Sequence, residues 1–221
     1  MTKVYYTICK QLSIYSFERA ASLLPIAMQK RSREYMRWQD SHAYLYGKLL
    51  LKEAICQLGY NHSLELMEKT KYGKPYFEDS EFGFNISHSG EYIVCVISTD
   101  EKQNLGIDIE EIKPIEFKNF ENIFSEGEKK EITNYDNFYT FWTRKEAIIK
   151  ADGRGMLIPL NTINVSSPSV LLDNNKYNLY EVNINKNYIA YIASCTNLEN
   201  KINKVYIDPL NVYLKNYESK V

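Results

Sequence analysis

Leu105-Gly106-Ile107-Asp108-Ile109-Glu110 alternates apolar and other residues without interruption. Such alternation reads as a β-strand, because successive side chains point to opposite faces. Leu105, Ile107 and Ile109 take one face; Gly106, Asp108 and Glu110 take the other. Carboxylates two apart on a strand lie about 7 Å from each other, near enough to share one ion. Two unpaired acids on one face repel, and a hard, oxygen-seeking cation such as Mg²⁺ is the natural compensation. Gly106 beside them leaves room for a ligand to approach. Taken alone, the strand equally fits a solvated face on which acids are ordinary.

Downstream, Phe141-Trp142-Thr143-Arg144-Lys145-Glu146-Ala147-Ile148-Ile149-Lys150 carries a helical period. The pattern predicts a helix over 135–152, stopped by Gly153 and Gly155, with Phe138, Phe141, Trp142 and Ile149 as its apolar stripe. Trp142, Glu146 and Lys150 are four apart and stack along one side. A partly buried Trp142 draws Glu146 towards the protein, where it could complete a metal site, with Lys150 beside a phosphate. An exposed Glu-Lys pair, worth only about 0.3–0.5 kcal/mol, is the plainer alternative.

Upstream, Phe82-Gly83-Phe84-Asn85-Ile86-Ser87-His88-Ser89-Gly90 reads as a strand entering a turn. Ser87 and His88 are then exposed at the tip, neighbours on opposite faces. Hydroxyl, imidazole and backbone N–H groups there suit phosphate oxygens. No G-x-S-x-G is present, which argues against a serine hydrolase. Gly73-Lys74-Pro75 places a further cation in an exposed turn.

The chain also repeats itself. Lys52-Glu53-Ala54-Ile55 recurs at Lys145-Glu146-Ala147-Ile148, 93 residues on. Phe84-Asn85-Ile86 with Tyr92-Ile93 resembles Val182-Asn183-Ile184 with Tyr188-Ile189, 98 residues on between the asparagines. Each half presents a long helix, a polar stretch and a hairpin. The first helix is expected over about 29–57, broken near Ser41, with Lys30, Arg33 and Arg37 on one face. The expected fold is α+β: a duplicated helix-on-antiparallel-sheet unit, with halves 1–104 and 105–221. A cleft between the units is the expected ligand site.

A net charge of −1 argues against bulk binding to nucleic acid or acidic membrane. With 44% hydrophobic residues a core needs no staple. Cys9, Cys56, Cys95 and Cys195 are scattered without C-x-x-C, which suits reduced thiols in the cytoplasm and argues against zinc. No signal peptide or membrane span is evident.

In order, the chain shows G-K-P at 73–75, N-I-S-H-S at 85–89, G-I-D-I-E at 106–110 and W-x-x-K-E-A-x-x-K at 142–150. This set resembles the Sfp-type 4'-phosphopantetheinyl transferases, over nearly the whole chain. The resemblance implies the fold of that family and a monomer. It implies transfer of the 4'-phosphopantetheine arm of coenzyme A to a serine of an apo carrier domain of a peptide, polyketide or fatty-acid synthase. Adenosine 3',5'-bisphosphate would leave, and Mg²⁺, with Mn²⁺ as an alternative, would serve as cofactor. By position, Asp108, Glu110 and Glu146 match the metal ligands, and Lys150 matches the lysine near the pyrophosphate. Ser87, His88 and Lys74 match coenzyme A contacts, and Arg31 the region reaching the 3'-phosphate. Phe124-Ser125-Glu126-Gly127-Glu128 looks like the family's F-S-x-x-E segment, which makes Glu128 the first choice of general base, ahead of Glu146 or a metal-bound water. Ala43 and Tyr44 depart from the family pattern near the 3'-phosphate. A module that binds coenzyme A without chemistry and an acyl-CoA-dependent acyltransferase are the rival readings. The first predicts binding without product, and the second predicts indifference to EDTA.

Overall fold

The computed structural model describes residues 1–198 and 202–218. β1 (Thr2–Ile8) leads into α1 (Ile14–Ala21), α2 (Ile26–Arg33) and α3 (Trp38–Gln57). A short pair, β2 (Glu68–Lys69) and β3 (Pro75–Tyr76), precedes the hairpin β4 (Gly83–Ser89) and β5 (Tyr92–Ser98). The second half runs β6 (Leu105–Glu111), α4 (Glu126–Glu131), α5 (Tyr135–Asp152), β7 (Ser169–Leu172), β8 (Asn175–Glu181) and β9 (Tyr188–Ser194). β10 (Asn203–Tyr206) and α6 (Pro209–Glu218) follow.

Two four-stranded sheets result, ordered β10-β1-β5-β4 and β6-β9-β8-β7. Each contains the same antiparallel trio: β1-β5-β4 in one, β6-β9-β8 in the other. α3 covers the first trio, with Leu45 and Leu49 in one core with Ile93, Cys95 and Ile97. α5 covers the second, with Phe141 and Ile148 in one core with Tyr191 and Ala193. Between the sheets lies a third cluster, in which Val4, Val94 and Val96 meet Leu105, Ile107, Ile109 and Ile192. The chain is therefore an α+β protein of two helix-on-sheet units packed sheet to sheet. The final segment crosses back. β10 pairs in parallel with β1, and Leu210 and Tyr213 of α6 pack on the first core, so this stretch lies with the first unit although the sequence division put it in 105–221. No helix among the described residues is long and apolar enough to cross a membrane, and all four cysteines are free.

α5 has the bounds its sequence predicts, because both ends are set locally. The Asn134 side chain accepts the N–H of Asn137, and Gly153 takes the left-handed conformation at φ 90°. The first long helix differs from expectation. The break falls between α2 and α3, where Arg37 is extended (φ −94°, ψ 134°), so Arg37 shares no helix face with Lys30 and Arg33. Ser41 lies inside α3, where its hydroxyl donates to the Ser32 carbonyl at 2.8 Å and ties the two helices together. In the second hairpin, the strand ends at Glu181, and Val182-Asn183-Ile184 belongs to the turn.

Gly106 serves the helix, not a ligand. A Cβ there would collide with the Ala147 carbonyl and the Ala151 amide of α5 and lie 3.0 Å from the Ala151 Cα. The missing side chain lets α5 lie directly on β6, which brings Trp142, Glu146 and Lys150 over Asp108 and Glu110. Gly106→Ala is expected to destabilise the fold by about 1–3 kcal/mol, the usual cost of overpacking against backbone. Urea denaturation tests this, and an unchanged midpoint would show that α5 lifts freely.

Candidate active site

β4 and β6 are the facing edges of the two sheets, and side chains replace a backbone ladder between them. Asn85, Ser87 and Ser89 alternate along one face of β4. Asn85 Oδ1 accepts the Ile107 N–H at 3.0 Å. Ser87 Oγ donates to Asp108 Oδ1 at 2.8 Å. Ser89 Oγ donates to Glu110 Oε2 at 2.8 Å and accepts the Glu111 N–H at 3.1 Å. α5 closes the arrangement from above. Trp142 Nε1 donates to Glu110 Oε1 at 3.1 Å, and Lys150 Nζ donates to Asp108 Oδ1 at 2.5 Å and to Ser87 Oγ at 2.8 Å.

Asp108, Glu110, Glu146 and Lys150 thus share one locality, as the strand and helix periods imply. The electrostatics are those of crowded acids. Burial first, and Asp108 second, push the Glu146 carboxyl up to about 7, against the pull of Lys150. Burial and Asp108 also hold Glu110 above the usual carboxylate range, against its bonds from Ser89 and Trp142. Two oxygens stand out: Asp108 Oδ2 and Glu146 Oε1 are buried and accept no hydrogen bond. Buried acceptors without donors are costly and few in folded proteins. Among the described residues no group of three or more Asp, Glu, His or Cys side chains is drawn together tightly enough to form a finished metal cage. The unpartnered oxygens and the surplus of negative charge nevertheless fit a divalent, oxygen-seeking cation, with Asp108, Glu110 and Glu146 as its donors.

Glu146 and Lys150 open onto a cavity of about 260 Å³, whose lining includes Asn85, Lys74, Tyr72 and Met156. A larger cavity of about 430 Å³ shares Lys74 and Pro75 with it but is lined by none of the three acids.

Other expected site residues stand elsewhere. Ser87 is not at an exposed tip: it is 5% exposed, inside β4, bridging Lys150 and Asp108. The His88 side chain is exposed, on the face of β4 shared with Phe84 and Ile86, yet enough protein surrounds its ring that desolvation first, and Lys150 second, hold the imidazole below its ordinary range. The Lys74 ammonium is not free for a ligand. It donates to the carbonyls of Gln103 (2.7 Å), Leu105 (3.3 Å) and Ala151 (2.5 Å), fastening the C-terminus of α5 to the link between the halves. Burial pushes its pKa down to about 8. Arg31 is exposed, paired with Glu34 at 2.8 Å and set over the Tyr35 ring.

Glu128 is the sharpest departure. Its side chain has no exposed surface and pairs with the equally buried Lys145 at 2.8 Å. Oε2 accepts the Ser125 N–H at 2.8 Å in a capping box that starts α4, and Oε1 accepts the Val165 N–H at 2.9 Å. Lys145 completes the knot with bonds to the carbonyls of Leu160 and Ile163. A carboxylate so enclosed cannot reach a substrate hydroxyl, so Glu128 is a structural residue in this arrangement. Ser89 was missed by sequence reasoning, although the alternation that grouped Asp108 with Glu110 also groups Asn85, Ser87 and Ser89.

Two such units, with acids from a strand and a helix gathered where the units meet, form the duplicated architecture that the sequence implies. Comparison with known proteins agrees. Residues 104–192 match the family model described as the 4'-phosphopantetheinyl transferase superfamily. Residues 12–100 match the one described as 4'-phosphopantetheinyl transferase, N-terminal. The 4'-phosphopantetheinyl transferase gsp of Aneurinibacillus migulanus is 31% identical over 95% of this chain and 91% of its own length. The 4'-phosphopantetheinyl transferase Sfp of Bacillus subtilis is 32% identical over 71% of this chain and 72% of its own. A Candida glabrata relative, L-aminoadipate-semialdehyde dehydrogenase-phosphopantetheinyl transferase, is 28% identical over 76% and 69%. The chain belongs to the Sfp-type 4'-phosphopantetheinyl transferases and is an enzyme of that family.

Proposed function

We propose that this enzyme transfers 4'-phosphopantetheine from coenzyme A to a serine hydroxyl of an apo carrier domain, releasing adenosine 3',5'-bisphosphate, with Mg²⁺ as cofactor. The observation that carries the metal dependence is the pair of buried, unpartnered oxygens, Asp108 Oδ2 and Glu146 Oε1, beside Lys150. Asp108, Glu110 and Glu146 would hold the cation, which when bound neutralises phosphate charge.

The bond that forms joins the serine oxygen to the β-phosphorus of coenzyme A, and the bond that breaks joins that phosphorus to the oxygen bridging to the α-phosphate. Such a transfer asks the protein mainly for position and charge stabilisation. Lys150, with a partly exposed side chain, stabilises negative charge on the departing bisphosphate. The serine proton goes to Glu146, which lines the cavity where Glu128 does not. A catalytic base needs that reach, about 3 Å from the proton.

The test is intact mass spectrometry of apo peptidyl, acyl and aryl carrier domains after incubation with the enzyme, coenzyme A and Mg²⁺. One added phosphopantetheinyl group is expected, and none with EDTA. Transfer that persists in EDTA would overturn the metal dependence. Calorimetric binding of coenzyme A with no mass change on any carrier would favour the binding module instead.

A further inference from the structure

We propose that Ser89 is a positioning residue which, with Trp142, clamps Glu110 in the orientation from which it binds the divalent cation. The inference rests on the metal-dependent transfer proposed above. Ser89 has one hydroxyl proton, and its oxygen already accepts the Glu111 N–H at 3.1 Å. The proton therefore goes to Glu110 Oε2, 2.8 Å away. The Trp142 indole can only donate, and it meets Glu110 Oε1 at 3.1 Å.

Glu110 is thus gripped on both oxygens, from β4 on one side and α5 on the other. Each oxygen keeps a lone pair for a cation. The other two acids are held differently. Asp108 is held at one oxygen only, and the Oε1 of Glu146 has no donor. Glu110 is the ligand already set before a cation arrives, and Ser89 is the half of its clamp that belongs to the opposite unit. A donor that fixes a ligating carboxylate typically contributes 10–100-fold to metal affinity. A merely structural tie would hold β4 to β6 and leave that affinity unchanged, since Asn85 also bridges the two strands.

The experiment is a titration of the full-length enzyme with Mn²⁺, followed by electron paramagnetic resonance, with coenzyme A present. Ser89→Ala is expected to raise the Mn²⁺ dissociation constant about 10-fold, and Trp142→Phe to do the same. Ser89→Thr keeps the hydroxyl and is expected to restore affinity to near the wild-type value. Should Ser89→Ala not fold, Ser89→Cys, with a much weaker donor, takes its place. Wild-type affinity in Ser89→Ala overturns the clamp, and so does a lowered melting temperature with unchanged affinity. Failure of the wild type itself to bind Mn²⁺ would overturn the metal-dependent reading and the clamp with it, a result distinct from an unaltered variant.

Discussion

Asp108→Ala is expected to lower the rate of holo-carrier formation by roughly 10²–10³-fold, the usual consequence of deleting one preorganised electrostatic element, while the protein stays folded. The functional half of this follows from connectivity. Asp108 meets Ser87 and Lys150 at one oxygen and leaves the other buried without a donor. Its removal takes away a proposed cation ligand and releases the lysine that would face the phosphates. The stability half follows from charge. Asp108 is 3% exposed and raises the pKa of both Glu110 and Glu146, so it pays a repulsion that alanine relieves. Against that stand the lost bond from Ser87, whose hydroxyl keeps Lys150 beside it, and the lost bond from Lys150, whose side chain keeps 29% exposure and can turn to water. The two effects oppose, and the urea midpoint is expected to change little. An acid that helps the reaction without helping the fold is what a functional site requires. Turnover close to wild type at saturating Mg²⁺ would remove Asp108 from the metal set. Loss of the circular dichroism spectrum would show that the carboxylate is structural.

What the sequence made legible depended on how local the governing rule was. The face of β6 that carries Asp108 and Glu110 follows from a period of two, and the bounds of α5 from an asparagine cap and a left-handed glycine. Trp142, Glu146 and Lys150 follow from a period near four. The position of the break in the first helix was not legible, because Ser41 reads as a turn residue until its hydroxyl finds Ser32 across the α2–α3 corner. Gly106 was read as ligand space because only the packed structure shows α5 lying on it. Lys74 was read as a free cation because nothing in its own neighbourhood foretells three carbonyls gathered from 103 to 151. Ser89 needed the same alternation applied to β4 together with the knowledge that β4 faces β6.

Glu128 shows the limit most clearly, and it carries the second large expected effect. Glu128→Gln is expected to destabilise the protein by about 3–5 kcal/mol, the cost of leaving one buried charge without its partner. Glutamine preserves the shape and one acceptor, but Lys145 then sits fully buried opposite a neutral group, with the Leu160 and Ile163 carbonyls and the Phe124 ring beside it and no counter-charge. One of the amides now served by the carboxylate, Ser125 or Val165, would also face an NH₂ group. Lys145→Met is expected to cost a similar amount, by stranding the carboxylate. Because the two substitutions remove the same interaction, the double variant is expected to fall well short of the sum of the single losses. Urea denaturation of the three variants measures that coupling. The same proteins separate structure from catalysis. If Glu128 only anchors α4 and the 163–165 segment to α5, then Glu128→Gln, assayed where it remains folded, keeps most of its turnover. A variant with undiminished stability and abolished turnover would return the base to Glu128, where the family pattern alone had put it, and would require α4 to open before the carrier serine reacts.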